Sequence, residues 1–241
     1  MASANPGYLR IKSTWLSRKP KREAIQLAVV LSLLVTFITQ MYWFDLLGAK
    51  TWMSANAEQV FTNKEVWRAW TTLFAHADLQ HLLSNVFLFF ILGIYLISSF
   101  GMFMVPMNAL FFGGVTNILV LKTMPVQTSL IGASGVVFWM GGVWLTLFFL
   151  IDRRRSVTHR ALRSIGVAIM LFVPSEAFDP NVSYKAHLVG FLLGFLWAFP
   201  YYYLNKSKFR AAEVTEWIVD EVDEDPEDFS AGPQSSRDPY N

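Results

Sequence analysis

The stretch GASGVVFWMGGVWL, residues 132–145, places a serine among small residues at the start of a long apolar run. If this run is a membrane helix, its first N–H groups have no partner within the helix and carry the positive end of the helix dipole. A hydroxyl that lies beside free amide donors and is surrounded by lipid is suited to acyl-transfer chemistry. Small residues around a serine are also typical of helix-packing surfaces in membranes, so Ser134 alone does not decide between packing and catalysis.

The composition is that of a membrane protein. Of the 241 residues, 54% are hydrophobic and 16% are charged, which is too apolar for one ordinary soluble domain. The absence of cysteine excludes a cysteine nucleophile and a cysteine-based metal site. A formal net charge of +2 is too small to indicate nucleic acid as a partner.

Six apolar runs have the length needed to cross the bilayer, which is about 20 residues for a helix. They lie at residues 24–46, 79–99, 102–121, 133–151, 161–178 and 186–204. The fifth is the weakest, because it has Arg163 near its start and Glu176 near its end. The pattern predicts an all-α polytopic membrane protein, a six-transmembrane-helix bundle over residues 24–204 that is embedded in the lipid bilayer.

The distribution of basic residues predicts the orientation of this bundle. Six spans place both termini on one side of the membrane. Fourteen lysines and arginines lie in the N-terminal tail, the loop 152–163 and residues 206–210. Five lie in the other connections: Lys50, Lys64, Arg68, Lys122 and Lys185. The positive-inside bias therefore predicts that both termini are cytoplasmic.

Three segments flank or interrupt the spans. Residues 1–23 form a basic tail, and the apolar run after them is too long for a signal peptide, so we expect a retained cytoplasmic tail. Residues 205–241 turn acidic after Arg210 and predict a mostly disordered cytoplasmic tail, with a partner-binding role left open. The tryptophan-rich connection 47–78 fits either a segment lying in the membrane interface or an ordinary aromatic-rich loop.

Four polar residues inside the spans fall at one predicted depth. His81 and Asn85 lie in the second span, Ser134 in the fourth and His187 in the sixth. These three spans run in the same direction, and each residue lies within the first two turns, just below the outer surface. Ionisable side chains are costly in a membrane, so the shared depth favours a functional site.

The sixth span also carries a stripe of small residues at helical spacing, Ala186, Gly190 and Gly194. Such a stripe lets a neighbouring helix approach closely. If it faces the small residues around Ser134, His187 would reach the serine hydroxyl and act as its general base. No carboxylate lies at this depth in the spans, so the residues predict a Ser-His dyad.

His81 and Asn85 would supply hydrogen-bond donors near the same point. With the backbone N–H groups at the start of the fourth span, they would bind the oxyanion of a tetrahedral intermediate. The alternative is ordinary hydrogen bonding between buried helices. A metal site of His76, His81 and His187 would lack a carboxylate and leave the serine without a role, so we predict neither a metal nor a cofactor.

Four motifs together resemble the rhomboid intramembrane serine proteases over residues 24–204. They are Glu65-Val66-Trp67-Arg68, His76-x4-His81-x3-Asn85, Gly132-Ala133-Ser134-Gly135 and Ala186-His187-x2-Gly190-x3-Gly194. The resemblance implies that Ser134 is the nucleophile and His187 the base. It implies an oxyanion hole formed by His81, Asn85 and the amides of Ala133 and Ser134.

The resemblance also carries expectations beyond the dyad. It implies a membrane-dipping first outer loop, a mobile loop at about 177–185 over the site, and the fifth span as a lateral gate. Substrates would be single-span or polytopic transmembrane proteins, cut near the outer face at a small residue. Phe138 stands where the family commonly has a tyrosine that stacks on the base, and Ile97 and Ser99 replace polar residues of a network near the inner end.

Two other functions fit the residues less well than a protease. A rhomboid-like protein that binds membrane clients without cutting them typically lacks the serine or the base, and here Ser134 and His187 are both present. A six-span transporter would need polar residues on both sides of the midplane, whereas the ionisable residues here cluster at the outer end. The short core favours a bacterial inner membrane, with an organelle inner membrane as the alternative.

Overall fold

The computed structural model describes residues 7–172 and 183–219, and this part of the chain is mostly helical. The helices are α1 (Arg22–Trp43), α2 (Ala49–Met53), α3 (Arg68–Thr71), α4 (Leu79–Phe100), α5 (Ala109–Leu121), α6 (Ser134–Ile151), α7 (Val157–Phe172) and α8 (Tyr184–Ala211). Two strands, β1 (Tyr8–Ser13) and β2 (Val214–Ile218), pair outside the bundle. We call the end of the bundle at which α1 begins and α8 ends the termini end.

Five helices in the described ranges are long and apolar enough to cross a membrane: α1, α4, α5 with the turn before it, α6 and α8. They confirm a polytopic helical membrane protein. The predicted fifth span, 161–178, corresponds to α7, which the structure describes as far as Phe172. The remainder of that span and most of the predicted capping loop at 177–185 lie outside the described residues.

Helix α6 lies at the centre of the bundle. Its 18-residue span is 78% buried, whereas the corresponding windows of α1 and α8 are 22% buried. A helix that is apolar all round is stable only when neighbours cover it on every side, and α4, α5, α7 and α8 do so here. Ser134 is the first residue of this central helix.

Helices α6 and α8 approach each other closely. A Cβ atom on Gly190 would overlap the carbonyl oxygen of Gly135, and one on Gly194 would overlap that of Trp139. On the α6 side, Gly142 meets the backbone of Phe191 in the same way. The small-residue stripe of α8 therefore packs against α6 backbone to backbone, as small residues allow in membranes.

The connection between α1 and α4 is a folded segment. The buried Arg68 guanidinium pairs with Glu65 at 2.5 Å and donates to the backbone oxygens of Thr51 and Ser54, at 2.7 and 3.1 Å. A buried charge needs such partners. The segment is fixed to α5 because Asn117 Nδ2 donates to the Ala69 oxygen at 2.8 Å.

At the termini end the structure differs from the two predicted tails. Helix α8 continues to Ala211, beyond the predicted limit of 204, and β1 and β2 form an antiparallel sheet within residues 1–23 and 205–241. The charges of the strands are complementary, since Glu216 bonds Arg10 at 2.8 Å and Lys12 at 3.1 Å. Residues 220–241 of the predicted disordered tail lie outside the described part.

Aromatic packing joins the helices near this sheet. Phe209 lies edge-on to Trp15 and to Phe100, with ring centroids 5.7 and 6.1 Å apart. Trp15 Nε1 also donates to the Ser99 backbone oxygen at 2.9 Å. Ile97 is buried in the same core. Where the resemblance implied polar side chains at 97 and 99, this chain therefore has apolar packing and one bond to a backbone oxygen.

Candidate active site

Ser134 begins α6 after a tight turn at Gly132. Gly132 has φ = +113°, and a Cβ atom there would lie 2.6 and 2.7 Å from Cε1 and Nε2 of His81. A side chain at this position would be both strained and in collision with the imidazole. The glycine therefore lets the His81 ring lie directly against the turn that leads into Ser134.

The folded segment between α1 and α4 holds this turn in place. Gly132 N donates to the Thr72 backbone oxygen at 2.9 Å, and Leu130 and Ala55 exchange backbone hydrogen bonds of 2.7 and 3.3 Å. The Thr72 hydroxyl also donates to the Leu130 oxygen. Buried backbone groups need such partners. The position of the predicted nucleophile is thus set by a segment much earlier in the chain, since Thr72 and Leu130 are 58 residues apart.

His187 lies in the first turn of α8. Its imidazole stacks on the Phe138 ring, with 4.0 Å between ring centroids and 9° between ring planes, and Tyr184 contacts it edge-on at 6.0 Å. Phe138 lies one turn after Ser134 on α6. The aromatic surface expected at Phe138 is therefore in contact with the predicted base.

The beginnings of α4, α6 and α8 come together at this point. The backbones of Gly135 and Gly190 touch, one residue after Ser134 and three residues after His187. Asp78 caps α4 by accepting from His81 N at 2.8 Å, which places His81 in the first turn. The structure thus brings Ser134, His187 and His81 to the same end of three neighbouring helices.

Asn85 follows His81 by one turn and is 6% exposed. Within the described residues its Nδ2 has no hydrogen-bond partner, which costs about 1–3 kcal/mol for a buried donor. Together with Ala133 and Val136 it lines an apolar cavity of about 70 Å³. An unsatisfied donor beside the residues that flank Ser134 is available to an incoming acceptor.

His76 is fully buried and contacts two other parts of the site. Its Nε2 lies 3.5 Å from Ala133 N, and its ring meets the His81 ring edge-on with centroids 5.1 Å apart. Burial, with a smaller contribution from His81, lowers the pKa of His76 to about 4. The amide of Ala133, expected to face the oxyanion, is directed at His76 instead. Ser134 N, His81 and Asn85 remain as the other expected donors.

The described ranges bring no three His, Asp or Glu side chains together as a metal site would require. In the alternative triad of His76, His81 and His187, both ring nitrogens of His76 already face partners, Ala133 N and Thr39 Oγ1. The described residues at this site offer a hydroxyl, imidazoles and amide donors.

Comparison with known proteins identifies the family to which the chain belongs. The profile of the Rhomboid domain matches residues 63–204, more than half of the chain. The chain belongs to the rhomboid family. The matched stretch contains every predicted site residue, from His76 to Gly194, and it leaves out α1 and both strands. This rhomboid is an integral, multi-pass membrane protein.

Named relatives match a stretch of similar length. The chain is 29% identical over 137 residues to "Putative rhomboid protease YdcA" of Bacillus subtilis, covering 57% of this chain and 68% of that protein. It is 28% identical over 143 residues to "Rhomboid-like protease 2" of Toxoplasma gondii, covering 58% of this chain and 50% of the relative. The chain thus spans half the length of the second relative.

Proposed function

We propose that this rhomboid is an intramembrane serine endopeptidase with Ser134 as nucleophile and His187 as general base. The observation that carries the proposal is the meeting of the first turns of α6 and α8. There Phe138, one turn after Ser134, stacks on the His187 ring at 4.0 Å, and Gly135 touches Gly190. These contacts fix the imidazole beside the helix that begins with the hydroxyl.

The reaction follows from the properties of these two groups. Neutral His187 takes the proton from Ser134 Oγ as the oxygen attacks the scissile carbonyl carbon. The protonated imidazole then gives the proton to the departing amine, and the C–N bond breaks to leave an acyl-enzyme. Water, activated by the same imidazole, attacks the ester and releases the second product.

The oxyanion of the tetrahedral intermediate would be bound by His81, Asn85 and the Ser134 amide. The unsatisfied Nδ2 of Asn85 supports this role, because a substrate oxygen would supply the acceptor that the described residues do not. His81 lies against Gly132, two residues before the nucleophile. The first N–H groups of α6 add the positive end of its dipole.

The substrate class follows from the surroundings of the site. The site lies at the ends of membrane-spanning helices, so we propose transmembrane proteins as substrates, cut near the outer face at a small residue. Most residues of α7 are exposed, unlike those of α6. A loosely covered helix beside the central one is suited to act as the lateral gate through which a substrate helix enters.

Labelling with a serine-reactive fluorophosphonate tests the proposal. The wild-type protein and Ser134→Ala are treated in detergent, and both are offered a single-span protein whose fragments are read by mass spectrometry. We expect labelling and cleavage by the wild type and neither by Ser134→Ala. A protein that binds the substrate, takes no label and yields no fragment would instead be a non-cleaving rhomboid-like client-binding protein.

We further propose a bacterial inner membrane, with an organelle inner membrane as the alternative, and cytoplasmic termini. The excess of lysine and arginine beside the termini supports this orientation. A reporter that fluoresces only in the cytoplasm, fused after residue 241, should be bright. A dark fusion with normal membrane insertion would reverse the topology.

A further inference from the structure

The hydroxyl of Thr39 connects α1 to the site residues. Thr39 is fully buried in α1, outside the stretch that matches the family. Its Oγ1 lies 2.9 Å from the Val35 oxygen, 2.9 Å from the Phe74 oxygen and 3.0 Å from His76 Nδ1. The first bond stays within its own helix, and the other two reach the segment that precedes α4.

These contacts determine the tautomer of His76. In the contact between Ala133 N–H and His76 Nε2, the backbone amide can only donate a hydrogen bond. Nε2 must therefore be the acceptor and carries no hydrogen. In a neutral ring the hydrogen is then on Nδ1, which donates to Thr39 Oγ1. The Thr39 hydroxyl hydrogen is left to bond the oxygen of Val35 or Phe74. Every hydrogen in this chain of bonds has an acceptor.

Helix α1 holds the same segment at a second point. Trp43 lies one turn after Thr39, and its Nε1 donates to the His76 backbone oxygen at 2.7 Å. The His76 ring in turn supports the His81 ring, and His81 lies against Gly132. A continuous set of contacts therefore runs from α1 through His76 to the turn before Ser134.

We infer that Thr39 and His76 are positioning residues, which hold the backbone at Ala133 and the His81 ring in place for the reaction at Ser134. The inference rests on the proposed function. Neither residue needs to touch the substrate. Thr39 fixes the direction of the His76 ring. The His76 ring in turn fixes the Ala133 backbone and the His81 ring, which lie on either side of it.

Three substitutions on α1 test this role. Thr39→Val removes the hydroxyl at nearly constant volume, Thr39→Ser keeps it, and Thr36→Val is the matched control. Thr36 lies one turn earlier, and within the described residues its hydroxyl bonds the Ser32 oxygen of its own helix, at 3.0 Å. We expect Thr39→Val to lower kcat about tenfold with KM within about twofold, as when a buried bonding partner is removed. Thr39→Ser and Thr36→Val should keep the wild-type kcat. Equal kcat for Thr39→Val and Thr36→Val would overturn the inference.

The tautomer can be measured without any activity. The chain has four histidines, so ¹⁵N NMR of histidine-labelled protein is assignable with a His76→Gln variant. We expect hydrogen on Nδ1 of His76 in the wild type and in Thr39→Ser. Hydrogen on Nε2 in the wild type would overturn the inference even if Thr39→Val failed to fold. Cleavage by Ser134→Ala at the wild-type rate would instead overturn the proposed function and leave the tautomer result standing.

Discussion

The ring of Phe138 lies parallel to the ring of His187, with 4.0 Å between their centroids and 9° between their planes. Phe138 belongs to α6 and His187 to α8, so the helix that begins with Ser134 also orients the imidazole proposed to activate it. One buried helix therefore positions both the proposed nucleophile and the proposed base.

Replacing Phe138 by alanine should lower kcat by about tenfold or more, because the imidazole loses the surface that fixes its orientation. Phe138→Tyr keeps the ring and should retain activity. Both variants are compared with the wild type in initial-rate measurements on one transmembrane substrate. Wild-type kcat in the alanine variant, at equal folded fraction, would show that the stacking has no role in the reaction.

Cleavage should be lost as the pH falls through the pKa of His187. Only the neutral imidazole accepts the serine proton, so activity is present above that pKa and absent below it. A protonated His81 still donates a hydrogen bond, so its titration alone does not stop the reaction. Initial rates in one detergent from neutral to acid pH, with folding followed by circular dichroism, check this prediction. Activity that rises steadily into acid would contradict the role of His187.

Asn85→Ala and His81→Ala should slow cleavage without abolishing it. Removing one oxyanion donor costs about 10²–10³ in kcat, and the remaining donors still bind the oxygen. Ser134→Ala removes the nucleophile and should leave no measurable turnover. Single-turnover rates of the three variants give the comparison. If Asn85→Ala were as inactive as Ser134→Ala while remaining folded, its amide would have a different role.

Gly194→Ala should destabilise the bundle by about 1–3 kcal/mol or more, because the added methyl group overlaps the Trp139 carbonyl oxygen on α6. Gly166→Ala on α7 is the matched control, since no atom of the described residues lies within 4 Å of the position that a Cβ atom would take there. Unfolding in a series of detergent mixtures measures both. A destabilisation of equal size in the two variants would mean that α6 and α8 do not depend on the glycine contact.

The sheet at the termini end should become less stable in acid. Hydrogen bonds from Arg10 and Lys12 hold the pKa of the Glu216 carboxyl below its ordinary value of 4.5. A lowered pKa in the folded state means that the pairing stabilises the sheet above about that pH and is lost as the pH falls through the lowered value. Hydrogen exchange of the β1 and β2 amides should show this pH dependence in the wild type and a smaller one in Glu216→Gln. Identical profiles would exclude Glu216 as the titrating group.

Much of the site was predictable because the chemistry of the membrane singles out its residues. Ionisable groups are rare within spans, so His81 and His187 stand out, and equal depth groups them with Ser134. The direction of the Ala133 amide was not predictable. It depends on the turn at Gly132 and on the ring of His76, which only the backbone geometry relates to each other.

The contribution of Thr39 was hidden for a different reason. A threonine in an apolar helix commonly bonds a carbonyl of its own helix, as Thr36 does, and the sequence gives no sign that Thr39 also reaches another segment. Strand β2 was missed because its partner lies about 200 residues away, at a separation of 206 between Arg10 and Glu216. Its acidic surroundings have the composition of an unfolded tail.

The different burial of α6 and α8 has a consequence for how the bilayer acts on this rhomboid. Ser134 begins a span that is 78% buried within the protein, whereas His187 lies on a helix whose apolar window is only 22% buried. A change in bilayer thickness or lateral pressure would therefore act on α8 more directly than on α6. The bilayer would affect the proposed reaction first through the position of His187. The rate of proton transfer would then depend on the chain length of the lipids.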